Sequence, residues 1–135
     1  MAEFVAFNQA LYFVANDGST GYEVWRSDGT PTGTLLLKDI SISNGARVQN
    51  LSAASSKAYF YAEGDGNSGN EVWVSNGTSS GTFLPRDISP TFETYRSPII
   101  TVNEQAFFRA NDGVNGTEVW ASDGSPNGTR LVSAQ

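Results

Sequence analysis

The sequence contains no cysteine and no histidine. Without cysteine the chain has no disulfide framework, no thiolate nucleophile and no zinc site built on Cys ligands. Without histidine it lacks the most common general base and the most common transition-metal ligand in proteins. Enzymes can work with carboxylates alone, but the two absences together favour a protein that is not an enzyme.

Basic residues and long apolar runs are also scarce. Against 14 Asp and Glu there are 8 Lys and Arg, which gives the 135 residues a net charge of −6. Because no basic cluster could neutralise phosphates, we expect neither nucleic acid nor a membrane surface as a partner. The apolar runs are far shorter than the roughly 20 residues that span a bilayer. Residues 1–3 lead straight into strand-like sequence, so any export signal is expected to lie outside this chain.

One motif occurs three times. Its first copy runs Glu-Val-Trp-Arg-Ser-Asp-Gly-Thr from residue 23 and closes with Gly-Thr at residues 33–34, and the other copies begin at residues 71 and 118. The tryptophans of successive copies are 48 and then 47 residues apart, at Trp25, Trp73 and Trp120. A constant period of this length is typical of repeat architectures such as propellers and solenoids.

Each period contains four short apolar segments, and residues typical of turns separate them. The segments are about 4 to 6 residues long and rich in Val, Phe, Tyr, Leu and Trp, and no window shows a helical apolar stripe. The pattern therefore predicts an all-β fold with three four-stranded antiparallel meanders in a single repeat domain, 1–135. We place the meanders at residues 1–45, 46–93 and 94–135, with crossovers at 41–48 and 89–97.

The stretch from Leu11 to Ile40 resembles the ELWxxDGTxxGT repeat of long, multi-copy bacterial exported and surface proteins. The second copy differs by a one-residue insertion, by Asn76 and by Pro85. The third copy has Ser125 in place of Thr and lacks the Lys-Asp-Ile ending. The resemblance implies a β-propeller-like blade that serves as an extracellular or cell-surface structural or interaction unit, and it assigns no activity.

Three blades alone would not close a propeller, which normally has about 4 to 8 blades. We therefore predict a homodimer in which two chains, placed head to tail, complete one six-bladed ring. The alternative fold is a β-trefoil, which has three repeats of four strands and closes as a monomer. A further possibility is a fragment, excised or engineered, of a longer propeller.

Two features of the motif have structural explanations. In residues 27–30, Ser-Asp-Gly-Thr, the Asp can accept backbone N–H bonds, Gly supplies a positive φ and the Thr hydroxyl can satisfy another turn group. The repeated tryptophans are expected to fill the space between neighbouring sheets. The alternative is that they form stacking platforms for sugar rings.

The loops at residues 16–23, 65–71 and 111–118 are the best metal candidates. Each offers an Asp, a Glu six residues later and several amide or carbonyl oxygens, which are ligands that Ca²⁺ accepts. None has EF-hand spacing, and a tight hairpin explains the same residues. We therefore assign no catalytic, cofactor-binding or metal-binding residue and keep calcium as an alternative. Glu93 and Glu104 have no counterparts in the other copies, and we assign them no role.

These observations predict a non-catalytic repeat module of an extracellular bacterial protein, acting as a structural or protein-binding scaffold. The alternative is a lectin-like glycan-binding propeller with pockets between blades. A hydrolase that uses only carboxylates is the third hypothesis, and the symmetry of the repeats argues against it because an active site needs residues unique to one copy.

Overall fold

The computed structural model describes residues 4–40, 47–64, 70–89 and 97–133. These residues form twelve strands and no helix, so the all-β prediction is confirmed, and none of them offers a helix able to cross a membrane. The strands are β1 Phe4–Phe7, β2 Ala10–Asn16, β3 Tyr22–Ser27, β4 Thr34–Lys38, β5 Gln49–Ala53, β6 Ala58–Glu63, β7 Asn70–Ser75, β8 Thr82–Phe83, β9 Ile100–Val102, β10 Gln105–Asn111, β11 Thr117–Ser122 and β12 Thr129–Ser133.

The strands form three separate antiparallel sheets of four, in the orders β1-β2-β3-β4, β5-β6-β7-β8 and β9-β10-β11-β12. We call them the first, middle and third sheets. The predicted three four-stranded antiparallel units are therefore confirmed, while the predicted boundaries between them fall outside the described residues. Strand β8 has only two residues. Pro85 follows it closely and has no N–H to donate to a ladder, which explains the early end.

The middle sheet is buried on both faces. Phe60 and Trp73 lie opposite each other on β6 and β7 and share a core cluster with Tyr12 and Val24 of the first sheet. Because successive strand residues point to opposite faces, their neighbours face the other way. These neighbours form a second core cluster with the third sheet, whose members include Tyr59, Tyr61, Val72, Val74, Phe108 and Trp120.

Cationic side chains connect each sheet to the next. Lys38 Nζ donates to the backbone oxygen of Thr82 at 2.8 Å, and Arg86 donates to that of Thr129 at 2.9 Å. Lys38 and Arg86 occupy corresponding positions of the first and second copies, and so do their acceptors. The same charge-assisted bond is therefore made at both sheet–sheet contacts, and the first sheet is related to the middle sheet much as the middle sheet is to the third.

Candidate functional site

The Ser-Asp-Gly-Thr turns are tied together internally. In the first copy Asp28 Oδ1 accepts from the backbone N–H of Thr30 at 3.0 Å and from its hydroxyl at 2.7 Å. The Thr30 hydroxyl oxygen in turn accepts from the N–H of Gly33 at 2.9 Å, and Gly29 has a φ of 96°. Asn76 makes the corresponding bonds in the second copy because its amide oxygen is also an acceptor. The predicted structural role of this turn is confirmed.

The three tryptophans occupy two different environments. Trp73 and Trp120 are buried in the two core clusters between sheets, which confirms the packing role predicted for them. Trp25 lies opposite Phe13 on the outer face of the first sheet and is only partly buried. The same residue of the motif is therefore a core residue in two copies and a partly buried residue on the outer face of the first sheet.

The acidic loops use their aspartates to bind their own backbone. Asp17 Oδ1 accepts from the N–H groups of Ser19 and Thr20, both at 2.8 Å. These bonds, the one from Thr20 foremost, hold the pKa of Asp17 below its usual value. Glu23 is fully buried, and its carboxylate accepts from the N–H of Ile40 at 3.1 Å.

The third loop repeats this arrangement, since Asp112 Oδ1 accepts from the N–H groups of Val114 and Asn115 at 2.9 and 2.8 Å. Among the described residues no group of three acidic side chains could hold a metal ion. The middle candidate loop lies outside the described residues from 65 to 69. For the two loops that are described, the hairpin interpretation accounts for the aspartates.

A pocket of about 270 Å³ opens between the middle and third sheets. It brings together residues of β6, β7, β10 and β11 that are far apart in the sequence. Its walls are formed by Tyr61, Asn70, Glu71, Val72, Ser89, Phe108, Arg109, Ala110, Asn111 and Thr117. Of these, sequence reasoning singled out the loop residues Asn70, Glu71, Asn111 and Thr117 as part of possible metal sites, and it did not place them in one pocket.

Glu71 is a buried acid in this pocket. Its carboxylate oxygens accept from the N–H of Ile88 at 3.1 Å and from that of Ser89 at 2.7 Å. Burial raises the pKa of Glu71 to about 8, and the nearby Asp87 also raises it. The two N–H bonds lower the pKa but do not outweigh these effects. The carboxyl group is therefore largely protonated at neutral pH and carries no charge into the pocket.

Asn70 is 7% exposed, and neither atom of its side-chain amide has a hydrogen-bond partner in the structure as described. Burying an amide without a partner costs free energy, so such a group calls for an explanation. The corresponding residues in the other copies are Tyr22 and Thr117. The three copies thus have three different residues at this position, and the unsatisfied amide is that of the middle copy.

Glu104 has a role that sequence reasoning missed. It lies in the β9–β10 turn, and its carboxylate accepts from the hydroxyl of Ser55 at 2.6 Å and from the N–H of Ser56 at 3.1 Å. The hydroxyl bonds from Ser55 and Ser56, with their N–H bonds, lower the pKa of Glu104 to about 2. Glu104 therefore joins the third sheet to the middle sheet, whereas Glu93 lies outside the described residues.

Comparisons with protein-family models, with curated proteins and with solved structures found no match to the chain. The resemblance to the ELWxxDGTxxGT repeat therefore stays a prediction.

Proposed function

We propose that the chain is a non-catalytic structural or protein-binding module, a set of three propeller-like blades that stacks head to tail on a second copy of itself. The observation that supports this proposal is the difference between the two end faces of the chain, which are the outer faces of the first and third sheets. The outer face of the first sheet has the aromatic pair that the middle and third sheets bury against their neighbours. The outer face of the third sheet corresponds to the faces on which the first and middle sheets receive those pairs.

The outer face of the first sheet repeats the buried faces of its neighbours. Phe13 pairs with Trp25 across β2 and β3, in the same register as Phe60 with Trp73 in the middle sheet. On this face Phe4 is 66% exposed and stacks on Phe13, with 6.3 Å between the ring centroids. A surface of this composition is a good candidate for a protein–protein contact.

The outer face of the third sheet supplies the complement. Phe108 and Trp120 point toward the middle sheet, so the residues that alternate with them point outward. Among these, Ile100 pairs with Phe107, and Val119 pairs with Arg109. Ile100 and Val119 are 57% and 42% exposed. The face corresponds to the one on which the middle sheet receives the third.

Head-to-tail contact between such faces forms a ring if the rotation from one chain to the next closes. Two chains of three sheets would then form a ring of six blades. Every described ladder joins strands of one copy, which favours separate blades over the strand exchange of a β-trefoil. The extracellular or cell-surface location is proposed from the family resemblance alone.

The test is the solution mass, measured by light scattering coupled to size exclusion over a range of concentrations. We expect twice the chain mass of 14.4 kDa. The variants Phe4→Lys and Ile100→Lys, one on each end face, should shift the mass toward the monomer. The control Val114→Lys alters a loop residue that is 86% exposed and should leave the dimer intact.

A mass of one chain at every concentration would overturn the proposal, and so would a dimer that both end-face variants leave unchanged. Masses that grow with concentration beyond two chains would support head-to-tail stacking but contradict the closed six-bladed ring.

A further inference from the structure

The two sheet–sheet contacts within the chain share a cation that reaches the next sheet. Lys38 donates to the backbone oxygen of Thr82 at the first contact, and Arg86 donates to that of Thr129 at the second. The Arg86 guanidinium also lies over the Trp120 ring, 5.3 Å from its centroid. At the second contact one cation therefore combines a charge-assisted hydrogen bond with a cation–π interaction.

A tyrosine hydroxyl also crosses both contacts. The hydroxyl of Tyr59 lies 2.8 Å from the backbone oxygen of Glu104 and 3.2 Å from that of Ser122, both in the third sheet. Tyr12 is the corresponding residue of the first sheet. Its hydroxyl lies against the turn of the middle sheet, where a Cβ on Gly77 would collide with it. Each internal contact thus has a tyrosine hydroxyl at the next sheet.

Phe107 takes the place of this tyrosine on the outer face of the third sheet. Its ring keeps the apolar part of the side chain but has no hydroxyl to donate. Ser27 of the first sheet corresponds to Ser122, so its backbone oxygen corresponds to one that lies within hydrogen-bonding distance of Tyr59. A second chain stacked on this face would therefore keep the aromatic packing and lack this hydrogen bond.

Ser133 takes the place of the cation. It pairs with Val119 across β11 and β12, as Lys38 pairs with Val24 across β3 and β4. A serine residue carries no charge, and its hydroxyl is only one carbon away from the backbone. It therefore cannot make the charge-assisted bond that the corresponding residue makes at each contact within the chain.

The first sheet still has the groups that would receive a cation. Thr34 begins β4 as Thr129 begins β12, so its backbone oxygen corresponds to the one that accepts from Arg86. Trp25 corresponds to Trp120, the ring beneath that guanidinium. In a head-to-tail pair of chains these groups would meet a face without the cation.

From these differences we propose that Phe107 and Ser133 set the strength of the contact between two chains. Because they omit two polar links that both internal contacts have, the chains are held together by apolar packing and separate on dilution, while each chain stays folded. This inference rests on the head-to-tail stacking proposed above, and it names the residues that make the contact reversible.

The test is the Kd of the dimer, measured by sedimentation equilibrium for the unaltered chain and for two variants that restore the missing groups. Ser133→Arg should lower the Kd about tenfold, as expected for one charge-assisted hydrogen bond. Phe107→Tyr should lower it about fivefold, as expected for a neutral one. The double variant should lower the Kd by about the product of the two factors, since the groups contact different residues.

Val114→Arg is the matched control for charge. The chain has a net charge of −6, so any added cation reduces the repulsion between two copies. Val114 is 86% exposed in a loop, away from both end faces. We expect this variant to change the Kd by less than about twofold, because exposed charges are screened by salt.

The reverse substitution tests the same bond inside the chain. Lys38→Ser removes the cation from the contact between the first and middle sheets, and it should raise the equilibrium constant for unfolding about tenfold. Urea unfolding at concentrations below the Kd measures this effect without a contribution from dimerisation. An unchanged unfolding constant would contradict the weight that we give to the cation.

The outcomes separate this inference from the stacking proposal. A dimer whose Kd neither Ser133→Arg nor Phe107→Tyr lowers would overturn the inference and leave the stacking in place. An equal gain from Val114→Arg would also overturn it. If the unaltered chain and the double variant are both monomeric at every concentration, both proposals fail. A monomeric chain that dimerises only as the double variant would support the roles of Phe107 and Ser133 and refute a native dimer.

Discussion

The first and middle sheets carry the same aromatic pair in different surroundings. In the middle sheet Phe60 is inaccessible and Trp73 is 9% exposed, because the first sheet covers them. In the first sheet Phe13 and Trp25 have the same register and are only partly buried. The repeated motif therefore sets strand pairing within a sheet, whereas the neighbouring sheet sets how much each side chain contributes to stability.

Truncating the two phenylalanines tests this difference between the first and middle sheets directly. Phe60→Ala should lower the free energy of unfolding by about 3 to 5 kcal/mol, because it leaves a cavity in a closed core. Phe13→Ala should cost about 1 to 2 kcal/mol, because solvent already reaches that site. Urea unfolding of both variants measures the difference, and equal losses would contradict it. At concentrations where chains pair, the cost of Phe13→Ala should rise toward that of Phe60→Ala.

Two acids at the contact between the middle and third sheets, Glu71 and Glu104, should give opposite pH dependence. The pKa of Glu71 rises from 4.5 to about 8 on folding, so the folded state binds more protons between these values. Stability should therefore fall as pH rises from 4.5 to 8, by roughly 2 to 4 kcal/mol from this group, and level off above. Glu71→Gln should abolish that fall in urea unfolding measured at a series of pH values.

Glu104 provides the matched control, since its pKa is lowered to about 2. Its contribution is present above pH 4.5 and is lost as pH falls from 4.5 to 2. Glu104→Gln should therefore alter the curve below pH 4.5 and leave the slope between 4.5 and 8 unchanged. A pH slope that persists in Glu71→Gln would refute the assignment to the buried acid.

The smallest effect is expected at the turn glycines. Gly29 and Gly77 have nearly the same φ, 96° and 97°. A Cβ at Gly29 meets no atom within 4 Å, while one at Gly77 would collide with the Tyr12 hydroxyl. Gly29→Ala should cost about 1 kcal/mol from backbone strain, and Gly77→Ala about 1 kcal/mol more from the displaced Tyr12 ring. Thermal unfolding measures both effects. Equal shifts in melting temperature would mean that the Tyr12 ring moves aside without an energetic cost.

Much of each sheet could be predicted from the sequence because its contacts are local. The alternation and turn residues located all four strands of each sheet, and the bonds around Asp28 follow from short-range turn chemistry. The contact of Glu104 with Ser55 joins residues 49 positions apart and depends on how two sheets sit together. Residue patterns within one copy contain no signal for such a contact.

The pocket could not be predicted for the same reason. The variation among Tyr22, Asn70 and Thr117 at corresponding positions was visible in the sequence. The pocket was not, because it forms only where the third sheet contributes residues such as Phe108 and Arg109 to its walls. Because this position differs in every copy and each copy has a Glu beside it, the sequence contains no signal that singles out Asn70.

The bonds from Lys38 to Thr82 and from Arg86 to Thr129 give the row of sheets a direction. The first and middle sheets each receive the next sheet through the same face, whereas the third copy has Ser133 where Lys38 and Arg86 stand. A repeat added within the row would therefore make a contact that the fold already contains. Duplication of one whole repeat in the gene would therefore lengthen the protein without requiring a new interface to evolve. Growth and shrinkage by single repeats are then small genetic steps, whereas insertion of part of a repeat would break the series.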